Sequence, residues 1–162
     1  MKHYVCGFAF HTPVNVAHPT EVALIQKAKP DFLKSLWNGI GGLVEPSDGS
    51  IPHKSTYTNA MSREFREEAG VITTPAQWRV FCRLRFRDCT IVFLESRWDF
   101  YGGPDDVGFI ETPSTQEAEP IRIYTLSSLA KENYSQCVPN LRWLIPMALD
   151  KDQVVATVED PS

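Results

Sequence analysis

Apolar residues recur along this chain at two different periods, and the changes of period mark its elements. Residues 4–10 form an apolar run, and in 21–27 Val22, Leu24 and Gln26 alternate with Ala23, Ile25 and Lys27. Both stretches predict strands, joined by turn-rich sequence carrying Thr12, Pro13, Asn15 and Pro19. Gly39, Gly41 and Gly42 mark a tightly bent or closely approached backbone, followed by a brief strand at Leu43-Val44 and a polar loop over 46–55. A helix is expected to begin near Tyr57 or Thr58, capped by Thr58 or Asn59, and to end with Gly70 at its C′ position. Residues 78–86 and 90–98 predict a hairpin turning near Arg87-Asp88. Val80, Cys82, Leu84 and Phe86 fall on one face of its first strand, and Arg79, Phe81, Arg83 and Arg85 on the other.

Residues 101–118 read as a long glycine-, proline- and acid-rich loop, of a length that goes with function or disorder. Residues 120–126 return as a strand in which Ile121, Ile123 and Thr125 alternate with Arg122 and Tyr124. Residues 139–149 predict a helix with Leu141, Leu144, Ile145 and Ala148 at helical spacing. The order of elements predicts one α+β domain over residues 1–150, with 151–162 as a loosely held tail.

Composition narrows the function classes. With 162 residues, 43% hydrophobic and 22% charged, the chain can bury one real core. The run at 4–10 is too short to span a membrane and lacks the layout of a secretory signal, so a cytoplasmic protein is expected. Cys6, Cys82, Cys89 and Cys137 are scattered without a CxxC pair, which predicts neither a zinc site nor a disulfide framework. His3, His11, His18 and His53 show no ligand spacing. A net charge of −4 offers no general attraction to nucleic acid or anionic membranes. A polyphosphate would have to be attracted locally, by a metal or by clustered arginines.

The informative segment is Arg63-Glu64-Phe65-Arg66-Glu67-Glu68-Ala69-Gly70-Val71. On a helix Glu64, Glu67 and Glu68 fall within roughly 100° of one another, while Met61, Phe65 and Ala69 form a neighbouring stripe able to dock on a sheet. Like charges at these spacings disfavour the helix by about 0.2–0.5 kcal/mol per pair. A solvated acidic face balanced by Arg63 and Arg66 is the plain reading. The glycine-rich approach just upstream favours another: a hard cation such as Mg²⁺ takes several carboxylate oxygens and keeps positions open for water and phosphate.

This segment resembles the Nudix box, whose pattern is Gly, five residues, Glu, seven residues, then Arg-Glu-apolar-x-Glu-Glu-x-Gly-apolar. Arg63, Glu64, Phe65, Glu67, Glu68, Gly70 and Val71 match its second half at every fixed position. In the first half five residues separate Gly42 from Asp48, which stands where the family has Glu. Fourteen residues then separate Asp48 from Arg63, a seven-residue insertion in the box loop. Gly39 with Glu45 also fits the first spacing but misplaces the double glycine, so Gly42 with Asp48 is preferred. Outside the box the resemblance covers most of the chain through the order of elements alone.

The resemblance implies an α/β/α sandwich with a mixed central sheet and a Mg²⁺-dependent pyrophosphohydrolase, with Mn²⁺ able to substitute. By similarity Glu67 and Glu68 bind the metal, and Glu64 is a ligand or positions the attacking water. Arg63 holds a box carboxylate in place, and the Gly42 carbonyl is a further ligand. An extra acid outside the box is expected before a late strand, where Glu119 is best placed, followed by Glu117 and Glu111. Arg79, Arg83 and Arg85 are candidate phosphate contacts. Trp37, Phe32, Tyr101 and Phe109 are candidates for stacking on a base.

The implied substrate is a small nucleotide, a nucleoside triphosphate or a related nucleoside diphosphate derivative. ADP-ribose, nucleotide sugars and dinucleotide polyphosphates are the alternative, and a catalytically silent nucleotide-binding module is the alternative of another class. No basic surface for a nucleic-acid strand is evident. Monomer and homodimer are both open.

Overall fold

The structure, a computed structural model, describes residues 1–13, 15–98, 113–150, 152 and 155–159. Among the described residues seven strands form one mixed sheet: β1 (Lys2–His11), β2 (Glu21–Gln26), β3 (Trp37–Asn38), β4 (Arg79–Arg85), β5 (Cys89–Trp98), β6 (Ile121–Thr125) and β7 (Ala156–Glu159). They lie in the order β3-β2-β1-β5-β4-β7, with β6 also paired to β2. The helices are α1 (Lys54–Ala69), α2 (Leu126–Lys131) and α3 (Leu141–Leu149).

Strand β1 is covered on both faces, which is why its sequence is apolar from Tyr4 to Phe10. Val5 and Ala9 join the core under α1, made with Ala23, Ile25, Tyr57, Met61, Phe65 and Ala69. Cys6, Phe8 and Phe10 point the other way, into a second core closed by Leu129, Leu141, Leu144, Ile145 and Ala148 of α2 and α3. The molecule is therefore the expected α/β/α sandwich, and the stripes expected on α1 and α3 are the faces those helices bury.

A short crossing segment splits the sheet. Strand β2 pairs with the end of β1 at Ala9↔Ala23 and with β3 at Ile25↔Asn38. The chain then crosses to the first half of β1, making isolated bridges at Gly7↔Ile40 and Tyr4↔Leu43. The Leu43-Val44 strand expected from sequence is thus a single bridge, because the glycines interrupt regular pairing and the two-residue strand lies earlier.

Other elements depart from expectation for local reasons. Helix α1 begins at Lys54, not at Tyr57 or Thr58, and its N-cap is His53. Thr58 and Asn59 lie inside it. The Thr58 hydroxyl donates to the Ser55 carbonyl, and the Asn59 amide to the Asp48 carbonyl at 2.9 Å. Gly70 ends the helix in the left-handed region as expected, with φ 73°. The hairpin β4–β5 forms, but a bulge between Val80 and Cys82 breaks the alternation. Val80 joins the core under α1, whereas Phe81 joins Cys82 and Leu84 on the opposite face, away from the arginines it was grouped with. Within 151–162, Ala156–Glu159 pairs in parallel with β4 as β7. All four cysteines are free thiols, and three are buried. Among the described residues no helix is long and apolar enough to cross a membrane.

Phe65 is fully buried and meets Trp78 edge to face at 5.2 Å, so it anchors α1 on the sheet. Phe65→Ala is expected to cost about 3–5 kcal/mol of unfolding free energy, read from urea denaturation.

Candidate active site

Docking of the Met61-Phe65-Ala69 stripe decides where the three glutamates go. Glu64 and Glu68 adjoin that stripe and are drawn beneath the glycine segment, with side chains 11% and 13% exposed. Glu67 stays at the rim, 51% exposed. The Gly41 N–H donates to Glu68 Oε2 at 2.9 Å. At Gly42 a Cβ would stand 2.6 Å from Glu64 Oε2, so glycine is what lets this carboxylate approach the loop. Gly41 has φ 149°, and a Cβ there would collide with the Val5 carbonyl. The Gly42 carbonyl, expected as a ligand, accepts the Val5 N–H at 2.9 Å and so is directed to β1.

Arg63 is the hub of this corner. Its Nε and Nη2 donate to the two oxygens of Asp48 at 3.1 and 2.9 Å, a bidentate pair. Its Nη1 reaches Glu64 at 2.9 Å and Glu67 at 3.1 Å, and Nη2 also donates to the Leu43 carbonyl. Asp48 is buried in a 3-10 turn, Pro46–Asp48, where Oδ2 further accepts the Glu45 N–H at 2.8 Å. Glu45 itself is exposed, so it is Asp48, separated from Gly42 by five residues, that meets Arg63. The pairing joins residues fifteen positions apart.

Burial tends to raise the Asp48 carboxyl, but the bonds from Arg63 and Glu45 outweigh it and hold the group below its ordinary value. For Glu64 burial wins, and the carboxyl is pushed up to about 7 in spite of Arg63. Glu68 is also raised by burial, against the pull of Lys27 and the Gly41 N–H.

A second cation, missed in the sequence, joins the site from the residue just after β2. Lys27 Nζ lies 3.0 Å from Glu119 Oε2 and 3.5 Å from Glu68 Oε1. Glu119 is brought there by its own loop. The Ser114 and Gln116 N–H groups donate to the Ala69 and Glu68 carbonyls at the open end of α1, and the Ala28 N–H fixes Glu119 Oε1. Burial lowers the Lys27 ammonium, but Glu68 and Glu119 together raise it above its ordinary value. The signal for Lys27 was its register: it follows Ala23 and Ile25 at period two, on the face turned toward α1.

Other candidates scatter. Glu117 is exposed, and Glu111, Tyr101 and Phe109 lie outside the described residues. Arg79 pairs with buried Glu95 at 2.7 Å. Arg83 and Arg85 line a separate cleft of about 290 Å³ with His3, Tyr57 and Thr90, so the three arginines do not act as one stripe. Trp37 is buried, edge-on to Tyr124 at 5.2 Å, and offers no open face for a base. Phe32 is exposed. A cleft of about 400 Å³ lined by Arg63, Arg66, Glu67, Ile72 and Thr73 opens beside the box.

The donor set is all carboxylate, which suits a hard divalent cation. Among the described residues no three His, Cys, Asp or Glu groups converge as a ready-made cluster. The carboxylates are instead divided between two cations, Arg63 holding Asp48, Glu64 and Glu67, and Lys27 holding Glu68 and Glu119. The site fits a metal chemically, and loading it requires these ion pairs to rearrange.

Comparison with solved structures gives the class of the fold. A MutT/nudix family protein of Enterococcus faecalis is 15% identical with a TM-score of 0.57; the match covers 76% of this chain but only 43% of that one. MutT of the fish pathogen Aliivibrio salmonicida and the mesophile Vibrio cholerae is 22% identical with a TM-score of 0.62, covering 91% of this chain and 96% of that one. The NUDIX domain of Shewanella oneidensis NrtR, in complex with ADP ribose, is 14% identical with a TM-score of 0.65, covering 90% and 84%. No family model and no curated protein matches the chain. The chain has the Nudix fold.

Asp48→Asn leaves Arg63 without its bidentate partner and is expected to cost about 2–3 kcal/mol of stability near neutral pH. Because the folded carboxyl titrates below its ordinary 3.8, its contribution is full above that value and is lost as pH falls through the folded one. The gap between wild type and Asp48→Asn in chemical denaturation should therefore close below about pH 4.

Proposed function

We propose that the chain is a Nudix hydrolase, a Mg²⁺-dependent pyrophosphohydrolase that cleaves a diphosphate linkage in a nucleoside triphosphate or a related nucleoside diphosphate derivative. One observation carries the reading. The box carboxylates Glu64 and Glu68 lie together beneath the Gly41-Gly42 backbone, and Glu119, from a different element, is brought to Glu68. A purely solvated acidic face would have no reason to be buried there.

Glu67, Glu68 and Glu119 are the residues to hold the divalent ion, with Mn²⁺ able to replace Mg²⁺. When bound, the ion supplies charge neutralisation on the phosphate oxygens and a template for in-line attack. Glu64, buried against Gly42, orients the attacking water and accepts its proton. Arg63 acts through the others: it restrains Asp48 and Glu64, so the helix and the inserted loop present one rigid wall. The cleft beside Arg66 and Glu67 accommodates the distal part of the substrate. A small-molecule nucleotide in the cytoplasm fits this site better than a nucleic-acid strand.

A second substrate class, ADP-ribose and its relatives, is supported by the ADP ribose held in the NrtR domain.

The test is release of phosphate and nucleotide, with and without Mg²⁺. The panel spans nucleoside triphosphates, ADP-ribose, nucleotide sugars and dinucleotide polyphosphates. Metal-dependent release from one class is expected, with turnover by Glu67→Gln reduced at least about 100-fold in a folded protein. Silence across the panel with Mn²⁺ also tried, together with measurable nucleotide binding, would leave a catalytically silent module instead.

A further inference from the structure

Lys27 is held differently from the other cations of the site. Its side chain is only 15% exposed, and the two carboxylates it touches are 13% and 20% exposed. Each carboxylate gives one oxygen to a backbone N–H: Glu68 Oε2 accepts from Gly41 at 2.9 Å, and Glu119 Oε1 from Ala28 at 2.6 Å. The remaining oxygens, Glu68 Oε1 and Glu119 Oε2, both face Lys27 Nζ. The ammonium thus sits at the point from which a cation can be shared between the helix and the loop before β6.

We infer that Lys27 is a built-in competitor for the divalent cation, neutralising the Glu68–Glu119 pair and yielding it only when a doubly charged ion displaces the ammonium. The inference rests on the proposed function's assignment of these two carboxylates to a metal. Its physical basis is charge at short range with little screening. Two carboxylates sharing a pocket repel one another, and a cation placed between them relieves that repulsion. The Lys27 ammonium, a single charge, stands between them in the structure, and a doubly charged ion would attract both more strongly. Every binding event therefore includes the cost of moving Lys27. Arg63 plays no equivalent part toward this pair, since its guanidinium is committed to Asp48, Glu64 and Glu67.

A merely structural role predicts something different. If Lys27 only ties β2 to α1 and the loop, removing it disorders the two carboxylates, and metal affinity falls or stays the same. If it competes, removing it makes the pair bind metal more tightly even though the protein alone becomes less stable.

Mn²⁺ binding to the chelator-stripped full chain separates the two, read by electron paramagnetic resonance of the free ion. The comparison is wild type, Lys27→Met and, as a control for loss of a remote positive charge, Lys34→Met. Lys27→Met keeps most of the aliphatic stem and should bind Mn²⁺ at least about tenfold more tightly, with Lys34→Met within about twofold of wild type. Lys27→Gln serves in its place if the methionine variant does not fold. Mn²⁺ binding by wild type with equal or weaker binding by the folded Lys27 variant overturns this inference and leaves the proposed function standing. Absence of binding in both proteins overturns the two together. Binding gained only in the variant supports the competition.

Discussion

Repulsion among carboxylates is the constraint around which this molecule is arranged. Asp48, Glu64, Glu67, Glu68 and Glu119 are collected at one corner of the sheet and helix, in a chain that is already net negative. Left to themselves they would push the box loop, α1 and the loop before β6 apart. Two cations prevent it. Arg63 uses the fork of its guanidinium to bind three carboxylates and a carbonyl at once, which a point charge could not do. Lys27, a compact ammonium, fills the gap between the remaining two. Most of these groups are shielded from solvent, so the attractions are not weakened as they would be on an open surface.

The rest of the fold supplies the rigidity that this arrangement needs. The segment 37–44 lies between the first half of β1 and the end of β2, which fixes its backbone from both sides. Glycine at 41 and 42 then lets that backbone approach both β1 and the buried glutamates. On the opposite face α2 and α3 close a second core, so β1 is held from both sides. The open end of α1 is bound by the 114–116 backbone, which is also what carries Glu119 to its place.

Much of this arrangement is legible in the amino-acid sequence. The apolar stripe of α1 and the acidic face beside it follow from a period of 3.6, and the buried strands from runs of apolar residues. The helix stop at Gly70 follows from its place after Ala69. The misleading positions are those whose side chains serve tertiary partners. Thr58 and Asn59 look like caps, yet Asn59 holds the Asp48 turn. Phe81 looks paired with the arginines until the bulge at Val80/Cys82 turns it into the other core. Trp37 looks available for stacking, but Tyr124 and Arg122 enclose its ring.

The sequence by itself determined the longer strands, the helices α1 and α3 with the faces they bury, and the carboxylates that could share one helix surface, because these depend on spacings of a few residues. Only the tertiary structure decided which carboxylate answers which cation. The Asp48–Arg63 pair joins residues 15 positions apart, and the Lys27–Glu119 pair residues 92 positions apart. Such pairings are chosen by the register of β2 beside β6 and by the docking of α1, and nothing in local spacing records either.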